Sequence, residues 1–204
     1  MNQKQQELED EGIFPVVGID EAGRGPLAGP VVAAAVILDP EVRLSGLDDS
    51  KKLSAKKREK LYNIISEEAV AFATGIVDNK MIDQINIQQA SFLAMKKAVT
   101  ALNKTPGYLL VDGNFKIPRV KIQQETVVNG DGLVNCIAAA SIMAKVTRDR
   151  IIDRYHEKYP QYGFINNKGY GTEEHINALE KYGVCPLHRL SYSIVKKNRK
   201  SSTG

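Results

Sequence analysis

Asp20 and Glu21 close a short apolar run, Val16, Val17 and Ile19, and stand directly ahead of Gly23, Gly25 and Gly29 interleaved with Pro26 and Pro30. That order predicts a strand that delivers two acids into a glycine-rich turn. Asp112 ends a second apolar run over residues 108–111, and Asp131 follows Asn129 and Gly130 in a turn at the entrance of a long helix, a candidate fourth acid. Carboxylates brought together repel one another unless a hard divalent cation neutralises them, and donors that are all oxygen favour Mg2+ or Mn2+ over zinc. Two such ions about 4 Å apart would activate water and stabilise the leaving oxygen in phosphodiester hydrolysis. Adjacent strand residues face opposite sides, so Asp20 and Glu21 can share one site only where the strand bends or bulges, as the nearby glycines would allow. A bland reading stands beside the chemical one. Among 24 acids some must fall at strand ends, where any one of them more often closes a turn than binds an ion.

The glycine-rich turn has no Gly-Lys-Ser/Thr sequence, and a strand follows it where a dinucleotide-binding unit needs a helix, so nucleotide binding of those kinds is disfavoured. His156, His175 and His188 have neither His-x-x-x-His nor cysteine-paired spacing and read as structural, with His175 placed to shape the loop around residue 170. Cys136 and Cys185 read as small buried hydrophobes. Lys56, Lys57, Arg58 and Lys60 crowd the start of one helix, and Lys196, Lys197, Arg199 and Lys200 the end of the chain. A solubilising face and tail account for these as well as salt-sensitive affinity for a duplex does.

The elements that must position the acids follow from periodicity. Residues 31–38 are apolar throughout and β-branched at several positions, which predicts a centrally buried strand. Residues 47–53 lack any period and read as a surface loop, and Ser54 then caps a helix with Leu61, Ile64, Ile65 and Ala69 on its inner face. A strand is expected around Phe72, Thr74 and Ile76. Asn86 with Gln89 has the pattern of a capping box and opens a second helix. Residues 120–128 predict a further strand, 137–159 a major helix whose alanines permit close approach to a sheet, and one more helix follows Thr172.

With 204 residues, 43% apolar and 25% charged, the chain is expected to fold as one domain with a real core. Its net charge of +4 permits a polyanionic partner without requiring one. Two cysteines make no disulfide framework, and residues 1–12, rich in Gln and Glu, are unlike an export signal and are a candidate flexible lead. The longest uncharged apolar stretch, residues 30–38, is far below the roughly 20 residues of a membrane-spanning helix. A cytoplasmic protein without a membrane span is the expectation.

The run Gly18-Ile19-Asp20-Glu21-Ala22-Gly23-Arg24-Gly25-Pro26-Leu27-Ala28-Gly29-Pro30-Val31-Val32 resembles the opening motif of the type 2 ribonucleases H, specifically ribonuclease HII. Further blocks similar to that family follow in the same order: Asp49-Ser50-Lys51-Lys52-Leu53, Val111-Asp112-Gly113, Ile137-Ala138-Ala139-Ala140-Ser141-Ile142 with Ala144-Lys145-Val146, Arg148-Asp149 and Gly169-Tyr170-Gly171-Thr172. The resemblance implies an α/β RNase H-like fold, a central mixed β-sheet flanked by helices with a C-terminal helical extension. Its core would span 13–160, its helical part 161–195 and a basic tail 196–204. It also implies endonucleolytic hydrolysis of RNA in RNA/DNA hybrids and incision 5′ of single ribonucleotides in duplex DNA, with Mn2+ or Mg2+, leaving 5′-phosphate and 3′-hydroxyl ends.

By motif, the family's four acids fall on Asp20, Glu21, Asp112 and Asp131, while nearby Asp149 reads as a helix-surface ion-pair partner. Gly23, Arg24 and Gly25 match the family's junction-sensing loop, and Tyr170 its tyrosine that packs on the neighbouring sugar and helps read the 2′-hydroxyl. Lys51, Lys52, Lys145 and Arg148 are expected phosphate contacts, which position a duplex without reading its sequence. A ribonuclease HIII-like enzyme would carry an N-terminal substrate-binding domain, for which the residues before Val16 are too few. The alternative from another class is a catalytically silent module that binds hybrids; four clustered acids weigh against it, since a binder of polyanions gains nothing from them. Partners are then the hybrid and the ribonucleotide-containing duplex. The chain is expected to be monomeric, and residues 196–204 contain no aromatic pair of the kind used by clamp-binding peptides.

Overall fold

The computed structural model describes residues 3–40, 46–47 and 53–199. Val16–Ala22 (β1) and Val31–Ile37 (β2) are the apolar runs on either side of the glycine-rich turn, and they pair antiparallel from Gly18 opposite Val36 to Ala22 opposite Val32. Ala71–Val77 (β3) pairs antiparallel with the far edge of β2. Tyr108–Asp112 (β4) lies parallel to β1, and Gln124–Val127 (β5) parallel to β4, so one mixed sheet runs in the order β3-β2-β1-β4-β5. The fold is α/β, as expected. The predicted strand over 120–128 is present only at 124–127.

β2 is buried along its whole length, which is why its sequence is continuously apolar and does not alternate. Asn79–Ala101 (α3) covers one face of the sheet and Asn135–Lys158 (α4) the other. Strand alternation divides the core accordingly: Val17, Ile19, Ala33 and Ala35 pack with Ala94 and Ala98 of α3, whereas Val16, Ala34, Val36 and Leu110 pack with the alanine-rich start of α4. Gly18 is the closest approach on the α4 side, since a methyl group built on it would lie 2.1 Å from the Cys136 carbonyl carbon. The strand therefore needs glycine there for α4 to begin against it.

Ala55–Glu68 (α2) is capped as predicted, with the Ser54 hydroxyl accepting from the Lys57 amide at 3.3 Å. The capping pattern at Asn86 proves to be an internal restart. α3 already begins at Asn79 behind Asp78, breaks at Asn86 with φ of 66°, and resumes with the Asn86 side chain accepting from the Gln88 and Gln89 amides. Residues 3–10, taken from the sequence as part of a flexible lead, form a helix, Gln3–Asp10 (α1). It docks because Leu8 is buried in the core and the Gln5 side chain accepts the Cys136 amide at 3.3 Å. A C-terminal group of short helices, Phe164–Asn167 (α5), Glu173–Tyr182 (α6) and Ser193–Lys197 (α7), closes over a third cluster built on Tyr162, Phe164, Leu179 and Ile152. Among the described residues no helix is long and apolar enough to cross a membrane.

Candidate active site

The parallel pairing of β1 with β4 ends at Ile19 opposite Val111, one residue before the acids. Asp20, Glu21 and Asp112 thus stand where two neighbouring parallel strands stop bonding to each other, and all three line one cavity of about 510 Å³. No bulge is needed: Asp20 and Glu21 keep their register with Ala34 and Ala33 of β2. Asp20 turns to the α4 side, where the Ser141 hydroxyl bonds its carboxylate. Glu21 turns to the α3 side and borders a smaller recess of about 80 Å³ with Gln88, Ser91 and Phe92. Both reach one site because the gap between β1 and β4 leaves the strand edge open, which replaces the bend expected from the sequence. Asp131 lies 3% exposed on the short helical turn Gly130–Gly132, beside the cavity and not in its lining. That turn is fastened to the site by the Gly130 amide, which donates to Asp112 Oδ1 at 2.7 Å.

Burial pushes the Asp20 carboxyl well above its ordinary value, and the negative charges of Glu21 and Asp112 push it further; the Ser141 hydroxyl and the Glu21 amide, 2.7 Å from Oδ1, offset only part of this. Burial likewise raises Glu21, against the pull of Arg24, whose guanidinium lies 3.3 Å from Oε1. Among the described residues no three acid, histidine or cysteine side chains are already closed into metal-binding geometry; these acids line an open cavity. Their chemistry nevertheless fits a hard cation: all donors are oxygen, and the buried Asp20 charge is made costlier by Glu21 and Asp112. Lys145 and Arg58 add positive charge to the same cavity lining. Burial lowers the Lys145 ammonium, and its 2.7 Å ion pair with Asp149 opposes that shift.

Two buried arginines build the wall that faces the acids. Arg189 donates to the carbonyls of Gly23, Arg24, Gly29 and Pro30 and to the Tyr192 hydroxyl, which in turn donates to the Arg24 carbonyl. Arg148 donates to the carbonyls of Ala28, Pro30 and Lys168 at 3.0–3.1 Å. The expectation that Arg148 meets phosphate is therefore corrected. Its side chain is fully buried beneath the glycine turn, and three of its five N–H donors go to backbone carbonyls. Gly23, with φ of +100°, has to be glycine for two reasons: its backbone is left-handed, and a methyl group there would fall 2.2 Å from Arg148 Nε. Tyr170 leans over this turn with its ring beside Gly25 and the Lys145 ammonium 5.9 Å from its centroid, and it is 44% exposed.

The structure thus gathers Asp20, Glu21, Asp112, Gly23, Arg24, Gly25, Lys145 and Tyr170 around one cavity, puts Asp131 on the adjoining turn and Arg148 below it. Lys51 and Lys52 lie outside the described residues. Asp149 has the ion-pair role expected of it, and Cys136 and Cys185 are buried free thiols. Sequence reasoning missed Ser141, Arg189 and Tyr192 and left Arg58 as one surface charge among several. A polar residue within the alanine run 137–144 was the available signal for Ser141. Nothing local marks Arg189, whose partners lie some 160 positions earlier.

A family model described as Ribonuclease HII matches residues 17–195. The ribonuclease HII of Endomicrobium trichonymphae is 55% identical over 186 residues, covering 91% of this chain and 89% of its own length. That of Enterococcus faecalis is 55% identical over 197 residues, covering 96% and 76%. Among solved structures, the ribonuclease H2 of Pyrococcus horikoshii aligns with a TM-score of 0.80 at 28% identity, over 90% of this chain and 96% of that one. The Archaeoglobus fulgidus RNase HII, solved in complex with PCNA, aligns at 0.74 with 26% identity, over 92% and 98%. The matched span 17–195 contains every cavity residue named above, from the first strand acids to the tyrosine wall, and on these grounds the chain belongs to the ribonuclease HII family.

Proposed function

We propose that the protein hydrolyses the RNA strand of RNA/DNA hybrids and incises 5′ of single ribonucleotides in duplex DNA, leaving 5′-phosphate and 3′-hydroxyl ends. The observation that carries this reading is the meeting of three acids, from the open ends of two parallel strands, with a glycine turn and an exposed tyrosine around one cavity. Asp20, Glu21 and Asp112 would hold a divalent cation, Mn2+ or Mg2+, with Asp131 joining from the turn that Asp112 anchors. Bound there, the cation supplies an activated water and charge stabilisation of the scissile phosphate.

The remaining work falls to the chain itself. The Gly23–Gly25 backbone, held from beneath by Arg189, presents a rigid surface that a ribose can approach closely. Tyr170 offers its ring face to the adjacent sugar, and its placement beside Gly25 puts the two readers of the ribonucleotide next to each other. Lys145 and Arg58, in the cavity lining, would meet phosphate oxygens, fixing position without sequence preference.

The test is cleavage of a labelled DNA duplex with one embedded ribonucleotide, in Mg2+, in Mn2+ and in chelator, by the native protein and by Asp112→Asn. Metal-dependent incision immediately 5′ of the ribonucleotide, lost in the variant, is expected. Binding of the hybrid with no incision under either metal would leave a silent binding module and overturn the proposal.

A further inference from the structure

Two of the chain's three histidines touch each other in the C-terminal wall, and the chemistry described above uses neither. His175, in the first turn of α6, and His188, in the segment after that helix, meet Nε2 to Nε2 at 3.0 Å. Such a contact is a hydrogen bond only when one nitrogen carries a proton and the other does not, and the outer nitrogens decide which. His188 Nδ1 lies 2.8 Å from the Cys185 amide, which can only donate, and 3.3 Å from the Cys185 carbonyl. The nearer, fixed donor makes Nδ1 the bare nitrogen and puts the His188 proton on Nε2. His175 Nδ1 lies 2.8 Å from the Tyr170 carbonyl, which can only accept, so here Nδ1 is protonated and Nε2 is bare. Assigned independently from opposite ends, the two rings agree in the middle: every bond points from Cys185 towards Tyr170, and both rings are neutral.

The surroundings keep them so. Tyr162 and Phe164 pack against both imidazoles with centroids 4.9–6.3 Å away. Glu174 acts on His175 from its own helix, Cys185 sits beside His188, and each histidine is the other's titratable neighbour. Burial lowers both rings, His188 to about 4, more than Glu174 raises His175. A proton added to His175 would set two N–H groups against each other across 3.0 Å, and one added to His188 would set its Nδ1–H against the Cys185 amide 2.8 Å away; either breaks the line. At its end the Tyr170 carbonyl is also taken by the Thr172 amide at 2.8 Å, so the peptide after the tyrosine is pinned from two sides.

We propose that His188 and His175 are positioning residues for substrate recognition: a one-way hydrogen-bond line from the Cys185 amide through both neutral imidazoles to the Tyr170 carbonyl sets where the tyrosine ring stands over the glycine turn. The proposal rests on the reading of Tyr170 as a substrate contact. Its consequence is that the pair acts on binding of the ribonucleotide and not on the hydrolytic step.

The first arm of the test needs no variant. In protein labelled with nitrogen-15 histidine, ring nitrogen shifts at pH 7 are expected to show His188 protonated on Nε2 alone and His175 on Nδ1 alone. A His188 proton on Nδ1, or a cationic ring, overturns the proposal. In the second arm, His188→Phe removes the central donor and is expected to raise KM for a single-ribonucleotide duplex about tenfold, the worth of one lost hydrogen bond, with kcat near native. In a Tyr170→Ala background the same change should add nothing to KM. Additive losses overturn the positioning role even if Tyr170→Ala alone raises KM, whereas a Tyr170→Ala variant with native KM overturns the substrate-contact reading and leaves the proton assignment to the first arm.

Discussion

At the β1–β4 end the cleft gathers carboxylates whose burial the protein relieves only in part, whereas at the C-terminal wall it buries two guanidiniums whose donors are mostly spent on the protein itself. Asp20 is pushed up by burial and by its two acidic neighbours, with a hydroxyl and an amide as partial relief. Arg148 is lowered to about 10 by burial and by Arg189, yet three carbonyls take three of its five donors, and four carbonyls and a tyrosine hydroxyl take those of Arg189. One wall is complete without a ligand and the other is not. A finished wall can measure a substrate, because its shape does not change on contact, while an unfinished one can bind what completes it.

The two walls also answer acid with opposite signs. A carboxyl whose value is raised in the folded protein binds protons more readily there, so its burial weakens the protein near neutrality and the penalty fades as pH falls through the raised value. An imidazole lowered from 6.5 to about 4 does the reverse, and the stability it contributes is whole above 6.5 and lost as pH falls towards about 4.

Breaking the unfinished wall has the largest effect expected. Asp112→Asn should lower the rate of incision about a thousandfold or more, the several kcal/mol that a well-held ion supplies, measured under single-turnover conditions in Mn2+. Second comes the finished wall, where Arg189→Met takes a donor from the carbonyls of Gly23, Arg24, Gly29 and Pro30, leaving Arg24 only the Tyr192 hydroxyl and Pro30 only Arg148. A loss of about 3 kcal/mol in urea unfolding is expected, with no recovery in Arg189→Lys, which restores charge but not the fork. Asp20→Asn sharpens the comparison, since it should inactivate the enzyme while making the metal-free protein more stable at pH 7, by about 1 kcal/mol, with the gain vanishing at acid pH. An unchanged or lowered unfolding free energy at pH 7 would show that the acid wall carries no standing penalty. The smallest effect belongs to Lys145→Ala, for which binding of a duplex should weaken uniformly across sequences and its salt slope fall by about 1.

How much of this was legible in the sequence differs between the walls for a physical reason. Acids at the ends of apolar runs, and glycines strung behind them, are local patterns, and Asp20, Glu21, Asp112 and the turn at Gly23 could be read from neighbours within a few positions. Arg148 and Arg189 could not. Arginine reads as exposed unless its partners are known, and most of these partners are backbone carbonyls 118 to 166 positions away, for which sequence carries no sign. The same limit explains α1, whose polar composition conceals that Leu8 and Gln5 are enough to dock it. At Asn86 the local chemistry was read correctly and its scale was not, because nothing nearby shows that a helix already precedes the cap.

α4 carries Ser141, which bonds Asp20, Lys145, which faces the cavity, and Arg148, which holds the glycine turn, all on one uninterrupted rod. The protein therefore contains a ruler: Ser141 and Arg148 are set about 10 Å apart along it by the helical rise alone. A single inserted residue between them would advance one mark by about 1.5 Å and swing it through about 100°, so that the place where a strand would be cut and the place where its sugar would be read could no longer fall on the same nucleotide step.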